Sequence, residues 1–144
     1  MNVKLILSIA SALILAVGCA TTQDSGQTST SAETPKTLTG EEIRSLISGR
    51  TGEGMTSDGY YIKAYNFTDG RISATSEKNG KTYQSTGTWE IQGDTVCAKW
   101  ANKDWKAACS TLTKNGDTYQ IKPTTFNVPS IPKAKYSDGN PYNL

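Results

Sequence analysis

From about residue 51 onward, apolar and polar positions alternate in short stretches. The alternation is broken roughly every ten residues by Asp58-Gly59, Asp69-Gly70, Asn79-Gly80, Gly93-Asp94 and Asn115-Gly116. Such pairs supply the positive backbone dihedrals that tight hairpin turns need. The pattern predicts strands near 51–56, 60–67, 71–77, 81–91, 95–101, 105–113 and 118–122. Ile62, Ala64, Ile72, Ala74, Tyr83, Trp89, Ile91, Val96, Ala98, Trp100, Ala108, Leu112, Tyr119 and Ile121 share the parity that would face one core. Ahead of the strands, Thr39 and Glu42 have the spacing of a capping box and Leu38 can staple against Ile43. Ile43, Leu46 and Ile47 then fall on one helical face, and Gly49 stands where a helix ends in the left-handed conformation. The expected fold is mainly β: an antiparallel meander of about seven to eight strands forming a small barrel or strongly curved sheet. One short N-terminal helix would plug or cover it. The stretch from Pro123 to Leu144 contains four of the five prolines and reads as an extended, irregular segment over the surface.

A different pattern occupies the N-terminus. Lys4 precedes an uncharged run from Leu5 to Val17, which is shorter than the roughly 20 residues a membrane-spanning helix needs and has the layout of a signal peptide. The run ends in Leu15-Ala16-Val17-Gly18-Cys19, which resembles the lipobox of bacterial lipoproteins, with Ala16 in place of the commoner leucine. That resemblance implies cleavage after Gly18, a diacylglyceryl thioether on Cys19 and a palmitate-type acyl chain on the new amino terminus. It makes 1–18 a signal peptide. Several buried acyl chains form an anchor that hardly dissociates, at about 0.8 kcal/mol per methylene. Membrane contact is thus expected through the lipid at Cys19. Without an aspartate at position 20, the resemblance favours the outer membrane, facing the periplasm. Residues 20–36 are almost wholly small and polar and cannot bury a core, so 19–37 reads as a lipidated cysteine and tether, with the β domain at 38–144.

Composition narrows the chemistry. Removing Lys4 from the 15 basic residues leaves 14 against 13 acidic ones, so a mature chain has no basic excess to drive phosphate binding, and no nucleic-acid partner is expected. With Cys19 assigned to lipid, Cys97 and Cys109 remain as a pair in an oxidising compartment. A hairpin turning at Asn102-Lys103-Asp104 sets them opposite each other, which predicts a disulfide worth about 3 kcal/mol. The chain has no histidine, and the two cysteines lack metal-site spacing, so no metal and no cofactor are expected.

Three candidate sites remain. Lys99 to Lys106 interleaves Trp100 and Trp105 with Lys99, Lys103 and Lys106. These could grip an anionic envelope glycan or a protein partner, or Trp105 could pack on the disulfide face while the lysines solvate the edge. Tyr60, Tyr61, Tyr65 and Tyr83 could line a concave site. Glu77 and Glu90 could face each other as the carboxylate pair of a weak glycosidase.

The order Leu-Thr-Gly-Glu-Glu-Ile at 38–43, Tyr65 to Gly70, Gly87-Thr88-Trp89, Val96-Cys97 with Trp100 and Cys109, and Gly139-Asn140-Pro141-Tyr142 is similar to the Gram-negative family of unknown function numbered 995. The resemblance implies an exported domain with no established activity and carries over no catalytic residue. Size, anchor and disulfide also resemble the small envelope lipoproteins that inhibit lysozyme, but Ser85-Thr86-Gly87-Thr88-Trp89 lacks the lysine of their inhibitory loop. The sequence therefore predicts a non-enzymatic envelope lipoprotein that binds a ligand or partner, with a lysozyme-type inhibitor and the glycosidase as alternatives.

Overall fold

A computed structural model describes residues 34–144. Cys19 and the signal and tether assignments to residues 1–33 lie outside the described residues. The last two tether positions are paired: β1 (Lys36–Thr37) lies antiparallel to the end of β7 (Ala108–Asn115), with Lys36 opposite Lys114. The helix α1 (Gly40–Ile47) starts as its sequence directs. Thr39 caps the Glu42 amide and the Glu42 side chain returns to the Thr39 amide, forming a complete capping box. Beyond α1, Gly49 takes φ +72°.

The strands β2 (Arg50–Met55), β3 (Tyr61–Asn66), β4 (Arg71–Lys78), β5 (Lys81–Gln92), β6 (Thr95–Trp100), β7, β8 (Thr118–Pro123) and β9 (Ile131–Asp138) follow in order. Each pairs antiparallel with the next, and β9 pairs with β2, giving a closed eight-stranded up-and-down barrel with β1 as a ninth, added strand. The expected turns are present: Gly59, Gly70, Asn79, Gly80, Gly93 and Gly116 all have positive φ. Cys97 and Cys109 are partners in the β6–β7 ladder and are joined by a disulfide, as their register predicted.

One sequence expectation fails. The C-terminal stretch does not run irregularly over the surface, because residues 131–138 form the strand that closes the barrel. Pro132 is accommodated at an irregularity in the β8–β9 ladder, between the pairs Tyr119–Ala134 and Ile121–Ile131, where no ladder amide is needed. Closure also needs space. Gly52 and Gly54 on β2 leave room for Tyr136 and Ile131, since a Cβ at either glycine would stand 2.7 Å from Tyr136 Cε1 or 2.6 Å from Ile131 Cγ2.

Helix α1 closes one end. Its first residue, Gly40, lies so close to the β5–β6 turn that a Cβ would stand 2.1 Å from the Gly93 carbonyl oxygen, and its amide donates to Asp94 Oδ1 at 2.9 Å. Ile43 and Ile47 are fully buried against Leu38, Ile72, Trp89 and Leu112, which together form the core. The Trp89 indole donates to the Phe67 carbonyl at 3.0 Å, and Arg44 of the helix rests over its ring. The other end lies among the β2–β3 and β4–β5 turns, the β6–β7 loop (101–107) and the β8–β9 loop (124–130).

Candidate functional site

Inward positions change in size along the barrel. Near α1 they are large, with Ile72, Trp89, Leu112 and Tyr136 filling the interior together with Ile43 and Ile47. Toward the opposite end they include Ala64, Ser76, Ala98, Ala108 and Ser110, which fill little of the space. The result is a cavity of about 560 Å³ with Ile47 and Trp89 in its lining and an open mouth at the end away from the helix. Eight strands give a barrel wide enough to be filled by side chains or to hold one small ligand. Here small side chains leave the second option open.

The cavity wall is mainly apolar, including Ile62, Val96, Trp100, Ile121 and Ile131, with isolated polar groups from Asn66, Ser76 and Ser110. Burial of Tyr136 deep in the barrel pushes its phenol well above the ordinary range, and the neighbouring Tyr119, at 5.5 Å between ring centroids, adds to this. Tyr136 is also part of the cavity wall.

Two aromatic pairs stand at the mouth. Trp100, in register with the inward residues Val96 and Ala98, meets Trp105 of the β6–β7 loop edge to face at 4.8 Å between centroids. Tyr60 and Tyr83 meet in the same manner at 6.3 Å. All three tryptophans of the chain therefore line this cavity. The mouth loops are tied together: the Ser57 amide donates to the Ser130 carbonyl at 2.7 Å, the Ser130 amide to Ser57 Oγ at 3.2 Å, and Lys106 Nζ to the Asn127 carbonyl at 3.2 Å. The base of the β8–β9 loop is held at the disulfide, where the Thr124 amide and hydroxyl both donate to the Cys109 carbonyl.

The structure sorts the residues picked out from sequence. Trp100, Trp105 and Lys106 line the cavity mouth, whereas Lys103 is exposed on the loop and Lys99 lies near Glu90 on the outer wall, 3.9 Å away. Trp105 does not pack on the disulfide face. Cys97 and Cys109 have the opposite parity to Val96, Ala98, Ala108 and Ser110, so the disulfide lies outside the barrel while Trp105 turns to Trp100.

The tyrosine cluster divides for the same reason of parity. Tyr60 and Tyr83 line the mouth, while Tyr61 donates to Glu53 and Tyr65 packs on Phe67. Glu77 and Glu90 are not a facing pair either: Glu77 stands opposite Thr82 at the start of β5, and Glu90, toward the other end of that strand, stands opposite Cys97 and accepts from Gln92 at 2.7 Å.

Sequence reasoning missed the wall contributed by Val128, Pro129, Ile131 and Tyr136. The signal was present in Ile131, Ala134 and Tyr136, but prolines and a ladder irregularity disguised it. Among the described residues, no three His, Cys, Asp or Glu side chains are grouped as metal ligands. Comparison with protein families, curated proteins and solved structures finds no match to this chain.

Proposed function

We propose that this chain is a lipid-anchored protein of the bacterial envelope whose barrel binds one small, mainly apolar ligand and performs no chemistry on it. The observation that carries the binding reading is the cavity: about 560 Å³, inside the 300–1,000 Å³ range of small-molecule sites, mainly apolar along its walls and with two aromatic pairs at its mouth. A structural module would have no need to leave Ala64, Ser76, Ala98, Ala108 and Ser110 facing the interior, because larger side chains there would add stability.

The anchor reading rests on the lipobox-like Leu15-Ala16-Val17-Gly18-Cys19 and on the polar segment after it. The described chain enters the barrel beside β7, at the helix-plugged end. Metabolic labelling with a palmitate analogue should mark the protein and fail to mark Cys19→Ala.

Because Trp89, Trp100 and Trp105 all line the cavity, intrinsic fluorescence reports its occupancy. Titrating the purified protein with a small apolar fluorophore such as anilinonaphthalene sulfonate should quench tryptophan emission by energy transfer, saturating at one molecule per chain. A linear, non-saturating response would overturn the binding reading.

A further inference from the structure

The two ends of the barrel treat their charges differently. At the plugged end the cations are matched: Lys36 with Glu42, Arg50 with Asp138 at 2.7 Å, Arg71 with Asp69 at 2.7 Å, and Arg44 over the Trp89 ring. All three arginines of the chain are used in this way.

The mouth holds lysines instead, and none has an ion-pair partner among the described residues. Lys78 and Lys81 flank the β4–β5 turn, Lys103 and Lys106 lie in the β6–β7 loop, and Lys122 and Lys133 flank the β8–β9 loop. Against these six stand three carboxylates, Asp58, Glu77 and Asp104. Asp58, which accepts the Thr56 hydroxyl at 2.6 Å, and Asp104 line the cavity mouth together with Lys106, so the excess of positive charge belongs to this end of the barrel as a whole.

Two of the lysines are fixed in place by backbone carbonyls. Lys78 Nζ donates to the Asp58 carbonyl at 2.6 Å and sits 4.5 Å from the Tyr60 ring centroid, while Lys106 Nζ donates to the Asn127 carbonyl. A carbonyl orients an ammonium without neutralising it, and each ammonium has three N–H donors. Lys78 also occupies a face of Tyr60 that a cationic ligand would need.

We infer that the ligand is a single-chain amphiphile with an anionic head: its apolar part enters the barrel and its carboxylate or phosphate rests at the rim, against Lys106 and within the field of the other mouth lysines. The inference rests on the binding reading above and adds the head-group chemistry. At roughly 30 Å³ per water-sized unit, the cavity has room for about nineteen such units, which suits one medium-length alkyl chain. An excess of positive charge around this end of the barrel draws anions toward the low-dielectric opening, and a hydrogen bond between charged groups is stronger than one between neutral groups.

The test compares dodecanoate, dodecyl phosphate, dodecanol and dodecyltrimethylammonium, all below their micelle concentrations, as competitors for the fluorophore bound to the purified protein. At low salt at least one anion should bind about tenfold or more tighter than the alcohol, and the cation should bind weakest. The tighter of the two anions identifies the head. The preference should shrink on going to about 0.5 M salt and should fall in Lys106→Gln and in the double variant Lys81→Gln/Lys103→Gln; in the double variant, whose side chains lie outside the cavity lining, dodecanol binding stays unchanged. If the alcohol or the cation binds as tightly as both anions, the head-group inference is wrong and the apolar site stands. If no compound competes and the fluorophore itself fails to saturate, the binding reading falls with it.

Discussion

Glu53 lies on the outer wall of the barrel and accepts two phenol hydroxyls, from Tyr61 at 2.9 Å and from Tyr142 at 2.8 Å. The second bond lays the residues after β9 against the barrel, and Lys63 Nζ covers the Tyr142 ring at 4.1 Å. Partial burial, followed by the bond to the Glu53 carboxylate, pushes the Tyr61 phenol up to about 12, and the same carboxylate raises Tyr142. Both shifts favour the neutral phenol in the folded state. Below about pH 10 that stabilisation is complete; between about 10 and 12 the unfolded chain releases the Tyr61 proton while the folded chain keeps it, so stability falls as pH rises. Tyr61→Phe should therefore be less stable than the parent at pH 8, by about 1 kcal/mol for the lost hydrogen bond. Its denaturation midpoint should also decline less steeply from pH 10 to 12, as urea melts across that range would show. At this scale the turn glycines and the capping Thr39 were legible because their reasons are local. Gly52 and Gly54 were not, because what requires them is Tyr136 and Ile131, more than seventy residues away in sequence.

Two seams between consecutive strands are short: β8–β9 pairs only Tyr119–Ala134 and Ile121–Ile131, and β6–β7 is little longer. The β6–β7 register holds only Val96–Ser110, Cys97–Cys109 and Ala98–Ala108, whereas β4 and β5 pair over eight positions. The disulfide sits in the middle of that short ladder, and the carbonyl of Cys109 holds the root of the β8–β9 loop. Its sequence separation of 12 corresponds to about 3 kcal/mol on the chain-entropy model. Reducing the bond, or replacing both cysteines with serine, should lower unfolding stability by about that amount. It should also raise hydrogen exchange first in 101–107 and 124–130, which a merely global loss of stability would not do. The pairing was legible because hairpin register follows from the turn position alone. Strand β9 was hidden because Pro132 breaks the period-2 pattern just where the ladder slips, and a sequence window carries no information that β2, at the start of the barrel, offers an edge to be paired. Trp105 was misplaced for a related reason: the β6–β7 loop leaves strand geometry at Ala101, so parity counted from Trp100 no longer applies.

Closure turns a set of inward-facing small residues into a cavity, and this is why the tyrosines and tryptophans could be named but not assembled beforehand. A half-barrel with the same side chains would expose them to water; the closed barrel makes one mainly apolar chamber. Occupancy should then be linked to folding. A ligand that binds the folded chain alone stabilises it by about 2.7 kcal/mol at a concentration one hundred times its dissociation constant. For a domain of this size that is a rise of roughly 10 °C or more in the thermal midpoint. Ala108 and Ala98 face each other across β6 and β7 and both line the chamber. Ala108→Phe should place a ring in the void, so that the thermal midpoint of the free protein holds or rises while tryptophan quenching and the ligand-induced shift are both lost. Differential scanning calorimetry with and without dodecanoate separates the outcomes: a variant that keeps the full ligand-induced shift would show that the stabilising molecule binds elsewhere on the protein.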